Sequence, residues 1–270
     1  MRRFGRASSV EIGKSGRATG GRPIPVEISA WTQRGQQSRP GLTSEELPGA
    51  GHARACSRCP GRVGSSVQEH RLPESAAATL LSLASRCHAR GWALATSGNF
   101  SVRLDAHRFV ITKSGLDKGA LRAEDLLVVD LEGNALTEGR PSAETPLHAQ
   151  IYRRRARVTA VAHTHSVAAT VLSRALVAEG YVVLSGFEML KALVGVNTHE
   201  TSIRLPIFPN DQDVPRLAAQ VDAELGGDDC VYGYLLAGHG LYTWGDTPTE
   251  AARHVEAIEF LLECVLHGKR

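Results

Sequence analysis

The sequence lacks the features that mark membrane-spanning, disulfide-linked and nucleotide-binding proteins. No run of about 18 apolar residues occurs, so we expect no membrane span. The five cysteines are few, odd in number and scattered, which excludes a disulfide framework and favours a reducing, cytoplasmic compartment. Neither the glycine-rich dinucleotide-binding pattern nor the P-loop pattern is present, so dinucleotide and nucleoside triphosphate chemistry is not supported. The composition is otherwise ordinary, with 42% hydrophobic and 22% charged residues.

The beginning of the chain differs from the rest in charge and in composition. Residues 1–70 hold 11 of the 31 Lys and Arg residues but only 5 of the 28 Asp and Glu residues, together with 11 of the 27 glycines. No apolar periodicity runs through this part, so it cannot bury enough surface to offset its ordering entropy. We predict a disordered, basic Gly/Pro/Arg-rich extension over residues 1–72 and a folded catalytic domain over residues 73–270.

Three roles are open to the extension. A transit peptide would carry an amphipathic helix, and a nucleic-acid-binding arm would combine clustered charge with aromatic residues, of which only Phe4 and Trp31 are present. We expect the third role, a dispensable extension or a start site assigned too far upstream. Cys56 and Cys59 have the spacing of a zinc or redox site, but no second pair follows, and we expect no function for them.

From Pro73 onward, helical and strand-like patterns alternate. A capping box at 247–250 precedes a long apolar stripe, and short strand-like runs with turns around 100–136 argue against a purely parallel sheet. The predicted helices span 74–90, 144–156, 166–178, 186–194, 213–225 and the segment that begins at Pro248. The predicted strands span 100–104, 108–112, 126–130, 158–163, 181–184, 201–207, 232–237 and 241–244.

A His-x-His pattern at 163–165 ends the apolar run 158–162. Residues i and i+2 of a strand face the same side, so these two imidazoles can hold one metal ion. A catalytic zinc ion needs a third protein ligand. The candidates are His148, His199, His239 and His254. We favour His239, because the glycines on both sides of it allow close approach. Three imidazoles without a thiolate favour Zn²⁺, with Fe²⁺, Mn²⁺ and Co²⁺ also possible.

Two carboxylates and three loops are further candidates. Glu144 and Glu188 begin predicted helices, where a favourable interaction with the helix dipole is the plainer explanation of each carboxylate and proton transfer is the alternative. Small polar residues recur in the loops 96–99 and 114–115 and at Ser142. Backbone amides beside glycine, with hydroxyl and amide side chains, are suited to a phosphate monoester where no P-loop is present, although each loop alone is only a turn signal.

Five separated motifs, in this order, resemble those of the class II aldolase/adducin family. They are ATSGNFSVR (95–103), ITKSG (111–115), RPSAET (140–145), HTHS (163–166) and AGHGLYTWG (237–245). The resemblance extends over roughly residues 73–268. Further stretches, GFEMLKAL, THE and PIFPNDQD, are similar to the dehydratases of the family rather than to its sugar-phosphate aldolases and epimerases.

The resemblance implies a fold, an oligomer and a metal. The fold would be a three-layer α/β/α arrangement around a central, largely antiparallel, mixed sheet. The oligomer would be a homotetramer with active sites at subunit interfaces. One Zn²⁺ per subunit would be held by His163, His165 and His239.

The resemblance also implies residue roles. Glu188 stands where the dehydratases of the family keep their acid/base residue, and Glu144 stands where the related aldolases keep a catalytic carboxylate beside the metal. The phosphate pocket would be lined by Asn99, Ser114, Gly115 and Ser142. The family usually has proline where Lys113 stands, and this difference loosens the loop backbone and adds a cation near the phosphate.

The resemblance therefore implies a zinc-dependent hydro-lyase that acts on a small phosphorylated ketose. A sugar-phosphate aldolase or 4-epimerase is the alternative on the same scaffold, because a stabilised enediolate serves those reactions equally well. A non-catalytic binding module like the adducin head, which lacks the metal site, is the alternative from another class. Binding of nucleic acid through the basic extension is the weakest alternative.

Overall fold

Helices and strands alternate along the polypeptide from Glu74 onward, as the apolar patterns predict. The computed structural model describes residues 72–225 and 231–268. The helices are α1 (Glu74–Ala89), α2 (Thr145–Arg154), α3 (Val167–Ala175), α4 (Val214–Leu225) and α5 (Pro248–Gly268). The strands are β1 (Asn99–Arg103), β2 (Arg108–Thr112), β3 (Leu126–Asp130), β4 (Ala160–Thr164), β5 (Tyr181–Ser185), β6 (Ser202–Phe208), β7 (Gly233–Leu236) and β8 (Gly240–Gly245).

Nearly all of the predicted basic extension lies outside the described residues. Residues 1–71, with Cys56 and Cys59, belong to that part of the chain. The extension, its proposed boundary near Leu72 and the lack of function expected for the cysteine pair therefore stay predictions. Of the helices that the structure describes, none is both long enough and apolar enough to cross a membrane.

The eight strands form one mixed sheet in the order β3-β2-β1-β4-β8-β7-β6-β5. Every neighbouring pair is antiparallel except β6 and β7, which run parallel. The prediction of a mixed, largely antiparallel sheet is confirmed.

Helices cover both faces of this sheet, because successive strand residues point to opposite sides. On one face, Val161 of β4 packs in a cluster with residues of α2 and α4. On the other face, its neighbours Ala160 and Ala162 pack with residues of α1 and α5. A third cluster joins α3 and α5 to β5 and β6. The predicted three-layer α/β/α arrangement is therefore confirmed.

One predicted helix is wrong in type and in length. The segment 186–194 forms only a five-residue 3-10 helix, Glu188–Ala192. Gly186 and Gly195 on either side of it have φ values of +77° and +81°, and such left-handed backbone ends a helix on both sides. The residues between them suffice for one turn only.

The predicted capping box of α5 is present with one change. Thr247 Oγ1 accepts a hydrogen bond of 3.1 Å from the Glu250 amide, as the motif requires. The Glu250 carboxylate, however, accepts from the amide of Asp246 at 3.4 Å rather than from that of Thr247.

Distant parts of the chain meet where the central strands of the sheet end. β4 ends there at Thr164, and the connection from β7 to β8 turns there through Gly238, whose φ is +65°. A Cβ atom on Gly240 would collide with the carbonyl oxygen of Thr164. The glycine at 240 therefore lets the β7–β8 connection approach the end of β4 closely enough for their side chains to meet.

Candidate metal centre and phosphate pocket

Three imidazole rings meet at this edge of the sheet. His163 and His165 lie at the end of β4, and His239 lies in the β7–β8 connection. The Nε2 atom of His163 is 2.8 Å from that of His165 and 3.3 Å from that of His239, and the remaining pair is 3.2 Å apart. The structure thus brings together the three histidines that the sequence singles out.

Two of these rings direct Nδ1 away from the cluster, towards an oxygen atom. His163 Nδ1 lies 2.9 Å from the carbonyl oxygen of Leu241, and His239 Nδ1 lies 3.3 Å from the side-chain oxygen of Asn210. Because both oxygens only accept, each Nδ1 acts as a donor, and each Nε2 faces the other rings of the cluster. Burial, aided by His163 and His239, lowers the pKa of His165 to about 3.

Three Nε2 atoms that lie 2.8–3.3 Å from one another can act together as ligands of one cation. Neutral imidazole nitrogens are donors that Zn²⁺ prefers, and hydrogen bonds from the opposite ring nitrogens to carbonyl groups are usual around such ions. The donor set therefore fits a divalent transition metal.

Glu144 completes the cluster. Its Oε1 atom lies 2.9 Å from His239 Nε2 and 3.4 Å from His163 Nε2, and the four candidate ligand atoms lie within 4.8 Å of one another. Burial opposes ionisation, but the His163 and His239 rings outweigh it and hold the pKa of this carboxyl well below its usual range. Its side chain makes no capping hydrogen bond to α2.

A polar cavity of about 260 Å³ opens beside the cluster. Residues of all three loops that the sequence analysis selects for a phosphate group line this cavity. The lining residues are Thr96, Ser97, Gly98, Asn99, Lys113, Ser114, Gly115, Lys118, Ser142, Glu144 and His165. Asn99 directs its Nδ2 atom to the Glu144 carboxylate and to Ser142 Oγ at 3.4 Å.

Lys118 is a cavity residue that the sequence-based predictions missed. It is only 2% exposed, and its Nζ atom donates to the carbonyl oxygens of Leu116 and Thr96 at 2.6 and 3.0 Å. Burial lowers its pKa, against the opposing effect of Asp117 and Glu144. Its position three residues after Gly115, in the same loop, is the signal that could have identified it.

Lys113, the cation that the sequence does point to, is engaged elsewhere. It lines the cavity, but its Nζ atom donates to the carbonyl oxygen of Glu124 at 2.6 Å.

The other candidate histidines do not join the cluster. His148 is fully buried and hydrogen-bonds to Ser101. In α5, His254 Nδ1 lies 2.7 Å from the carbonyl oxygen of Trp244. His199 lies 3.2 Å from a carboxylate oxygen of Glu188.

Glu188 is not part of the cluster within one chain. Its side chain is 69% exposed and pairs with Lys191 at 2.7 Å, a contact that lowers its pKa. β5 runs antiparallel to β6, and Ser185 pairs with Ser202 at the beginning of β6. The histidine cluster lies at the opposite end of β6, about 20 Å away along seven strand residues.

Comparisons with known proteins agree with this fold. The model of the class II aldolase and adducin N-terminal domain matches residues 78–266. The methylthioribulose-1-phosphate dehydratase of Sorangium cellulosum is 55% identical over 194 residues, which cover 71% of this chain and 92% of that protein. The protein of the same name from Methylococcus capsulatus is 51% identical over 197 residues, which cover 72% and 96%.

A solved structure shares the fold. The L-fuculose-1-phosphate aldolase of Thermus thermophilus is 28% identical with a TM-score of 0.58, and the match covers 71% of this chain and 94% of that one.

Proposed function

The chain belongs to the class II aldolase and adducin family, and from this premise we propose that it is a hydro-lyase that dehydrates 5-methylthioribulose 1-phosphate. The observation that carries the proposal is identity of 50–55% over nearly the full length of relatives that bear this name. The cluster of three histidines and Glu144 beside a polar cavity supplies the groups that the reaction needs. The product is 2,3-diketo-5-methylthiopentyl 1-phosphate, and the reaction belongs to methionine salvage.

Dehydration of the substrate to an enol requires two proton transfers. A base removes the proton at C3, which is acidic because C3 is adjacent to the C2 ketone, and an acid protonates the hydroxyl group that leaves C4 as water. The resulting enol then loses its hydroxyl proton at C3 and gains one at C4, which gives the second ketone. Water is the only other product, so no redox cofactor is needed.

His163, His165 and His239 would hold Zn²⁺. When bound, the ion would polarise the ketone oxygen of the substrate as a Lewis acid. Glu144 adds a negative charge next to the three rings, and its buried position keeps this charge away from bulk water.

The cavity beside the cluster would bind the phosphate group. Ser114 and Ser142 supply hydroxyl groups, Gly115 supplies a backbone with φ of +76°, and Asn99 holds Ser142 in place. Lys118 supplies the positive charge, since its ammonium group is already fixed by two carbonyl oxygens.

Glu188 would act on the cluster of a neighbouring subunit. In its own chain it lies at the opposite edge of the sheet, so it can reach a histidine cluster only across an interface. We therefore propose a cytoplasmic homotetramer with active sites between subunits, in which Glu188 carries out proton transfer and Glu144 assists beside the metal.

A direct assay tests the function. The purified protein is expected to release water from 5-methylthioribulose 1-phosphate, to lose this activity with a chelator and to regain it with Zn²⁺. Fuculose 1-phosphate and ribulose phosphates serve as the comparison. Cleavage or epimerisation of these sugars at a higher kcat/KM would favour the aldolase alternative, which the similarity to an L-fuculose-1-phosphate aldolase motivates. A protein that binds no metal would favour the non-catalytic alternative.

A further inference from the structure

A chain of buried hydrogen bonds runs from Tyr152 through Ser101, His148 and Asn99 to Glu144. The Tyr152 hydroxyl lies 2.8 Å from Ser101 Oγ, which lies 2.7 Å from His148 Nδ1. His148 Nε2 contacts Asn99 Oδ1, and Asn99 Nδ2 donates to Glu144 Oε2. The first four residues are at most 3% exposed, so solvent does not compete for these bonds.

The ionised carboxylate sets the direction of the links nearest to it. A carboxylate oxygen only accepts, so the amide of Asn99 must present Nδ2 to Glu144 and Oδ1 to His148. The amide oxygen also only accepts, so His148 must carry its proton on Nε2.

The remaining links follow from the neutral state of His148. Burial lowers the pKa of this ring to about 3, so at neutral pH it has one proton and one lone pair. With the proton on Nε2, Nδ1 accepts from the Ser101 hydroxyl, and the oxygen of Ser101 accepts from Tyr152. All the hydrogen bonds from Tyr152 to Glu144 then point the same way, with each residue donating to the next one towards Glu144.

We propose that His148 is a positioning residue that fixes the orientation of the Asn99 amide and, through it, the Glu144 carboxylate. The two ends of an amide are nearly equal in size, so packing alone does not choose between them. A flipped amide would present its oxygen to the carboxylate and repel it. His148 Nε2 can donate only to the amide oxygen, so it selects one orientation of Asn99. In that orientation Asn99 Nδ2 donates to Oε2 of Glu144, and Oε1 faces His163 and His239.

The inference rests on the proposed function only in giving Glu144 a part in the reaction.

Two substitutions of His148 by side chains of similar size separate a positioning role from a packing role. H148Q keeps an amide donor at the far end of the side chain, whereas H148M fills the space without any donor. We expect H148M to lower kcat on the order of 10- to 100-fold with KM for 5-methylthioribulose 1-phosphate unchanged, as is usual when an outer partner of a metal site is removed. H148Q is expected to restore most of kcat.

Equal kcat values for H148M and H148Q would overturn the inference, because packing would then be the only role of the ring.

S101A is a further variant that tests the direction of the hydrogen bonds. It leaves the volume of the ring unchanged but removes the donor to Nδ1, so the proton is free to move to Nδ1. We expect an intermediate loss of kcat, and wild-type kcat in S101A would contradict the proposed direction.

A measurement without turnover tests the same point. In metal-free protein labelled with ¹⁵N-histidine, the signal that disappears in H148Q belongs to His148. It is expected to be that of a neutral ring with its proton on Nε2, and a proton on Nδ1 would refute the inference. If wild-type protein failed to dehydrate the substrate, the proposed function would fail while this measurement still decided the orientation of the chain.

Discussion

Among single residues, Lys118 combines features that rarely occur together. It is an almost fully buried lysine in a loop, it lines the cavity beside the histidine cluster, and it joins two segments of the cavity wall through the carbonyl oxygens of Thr96 and Leu116. Two of its three donor positions are used by these carbonyls, so one is left for a ligand. Its ammonium group is therefore held in place before a substrate arrives.

Substitution of Lys118 by methionine is expected to raise KM for 5-methylthioribulose 1-phosphate on the order of 10- to 100-fold, because a hydrogen bond to a charged group contributes about 1.5–3 kcal/mol. The inhibition constant of inorganic phosphate should rise by a similar factor. K113M is the matched control, and a smaller effect is expected because Lys113 donates to the Glu124 carbonyl. Equal effects of the two substitutions on KM and on phosphate inhibition would show that Lys118 has no special part.

The residues of the site differ in how far sequence can predict them. The spacing of His163 and His165 in a strand is a local property, and the glycines around His239 mark a close approach, so all three could be predicted. The burial of Lys118 could not, because a lysine in a glycine-containing loop is normally solvated. Glu188 could be identified by resemblance but not located, because its distance from the cluster depends on the direction of β5 beside β6.

At the scale of elements, α5 supports the end of β4, where two histidines of the cluster lie. Glu259 of α5 is fully buried, and its Oε1 accepts a hydrogen bond of 2.5 Å from Thr164, which stands between His163 and His165. Burial, with a small contribution from Glu263, raises the pKa of Glu259 to about 7. The folded protein thus holds this carboxyl in its neutral form at mildly acidic pH.

This raised pKa predicts a stability that falls with increasing pH. The unfolded carboxyl ionises near its ordinary value of 4.5, whereas the folded one stays protonated up to about 7. The folded state binds more protons in this interval, so its contribution to stability is complete below pH 4.5 and is lost as pH rises to 7. Urea unfolding of E259Q at pH 5 and pH 8 should show less of this dependence than wild type. The same change of unfolding free energy in both proteins would contradict the assignment.

The element-scale predictions succeed where a pattern is long and fail where it is short. The stripe Ala251–Val265 and its capping box define α5, and each of the eight predicted strands is present. The segment 186–194 carries the apolar spacing of a helix, but positive φ values at Gly186 and Gly195 limit it to one 3-10 turn. The sign of φ at a glycine depends on the chain around it and is not encoded in local spacing.

At the scale of the whole molecule, one chain holds both halves of the proposed active site but keeps them apart. The histidine cluster lies at one edge of the sheet, and Glu188 lies at the other. A head-to-tail interface would let each chain give its histidines to one site and its carboxylate to the next.

Mixed oligomers test this arrangement. E188Q and H239A should each be inactive alone as dehydratases. Co-assembled, they should recover part of the wild-type kcat, because some sites then combine an intact His239 with an intact Glu188 from another chain. Activity would stay absent in the mixture if both residues served the same site within one chain. Mixing without prior dissociation of the oligomers is the control.

The order of strands gives the histidine cluster a second role in the molecule. β1 to β4 form one half of the sheet, β5 to β8 form the other, and the halves meet only where β4 pairs with β8. His163 and His165 belong to the first half and His239 to the second. An ion coordinated by all three histidines would therefore link the two halves of the sheet. The same three metal–imidazole bonds would then serve both the stability of the fold and the reaction.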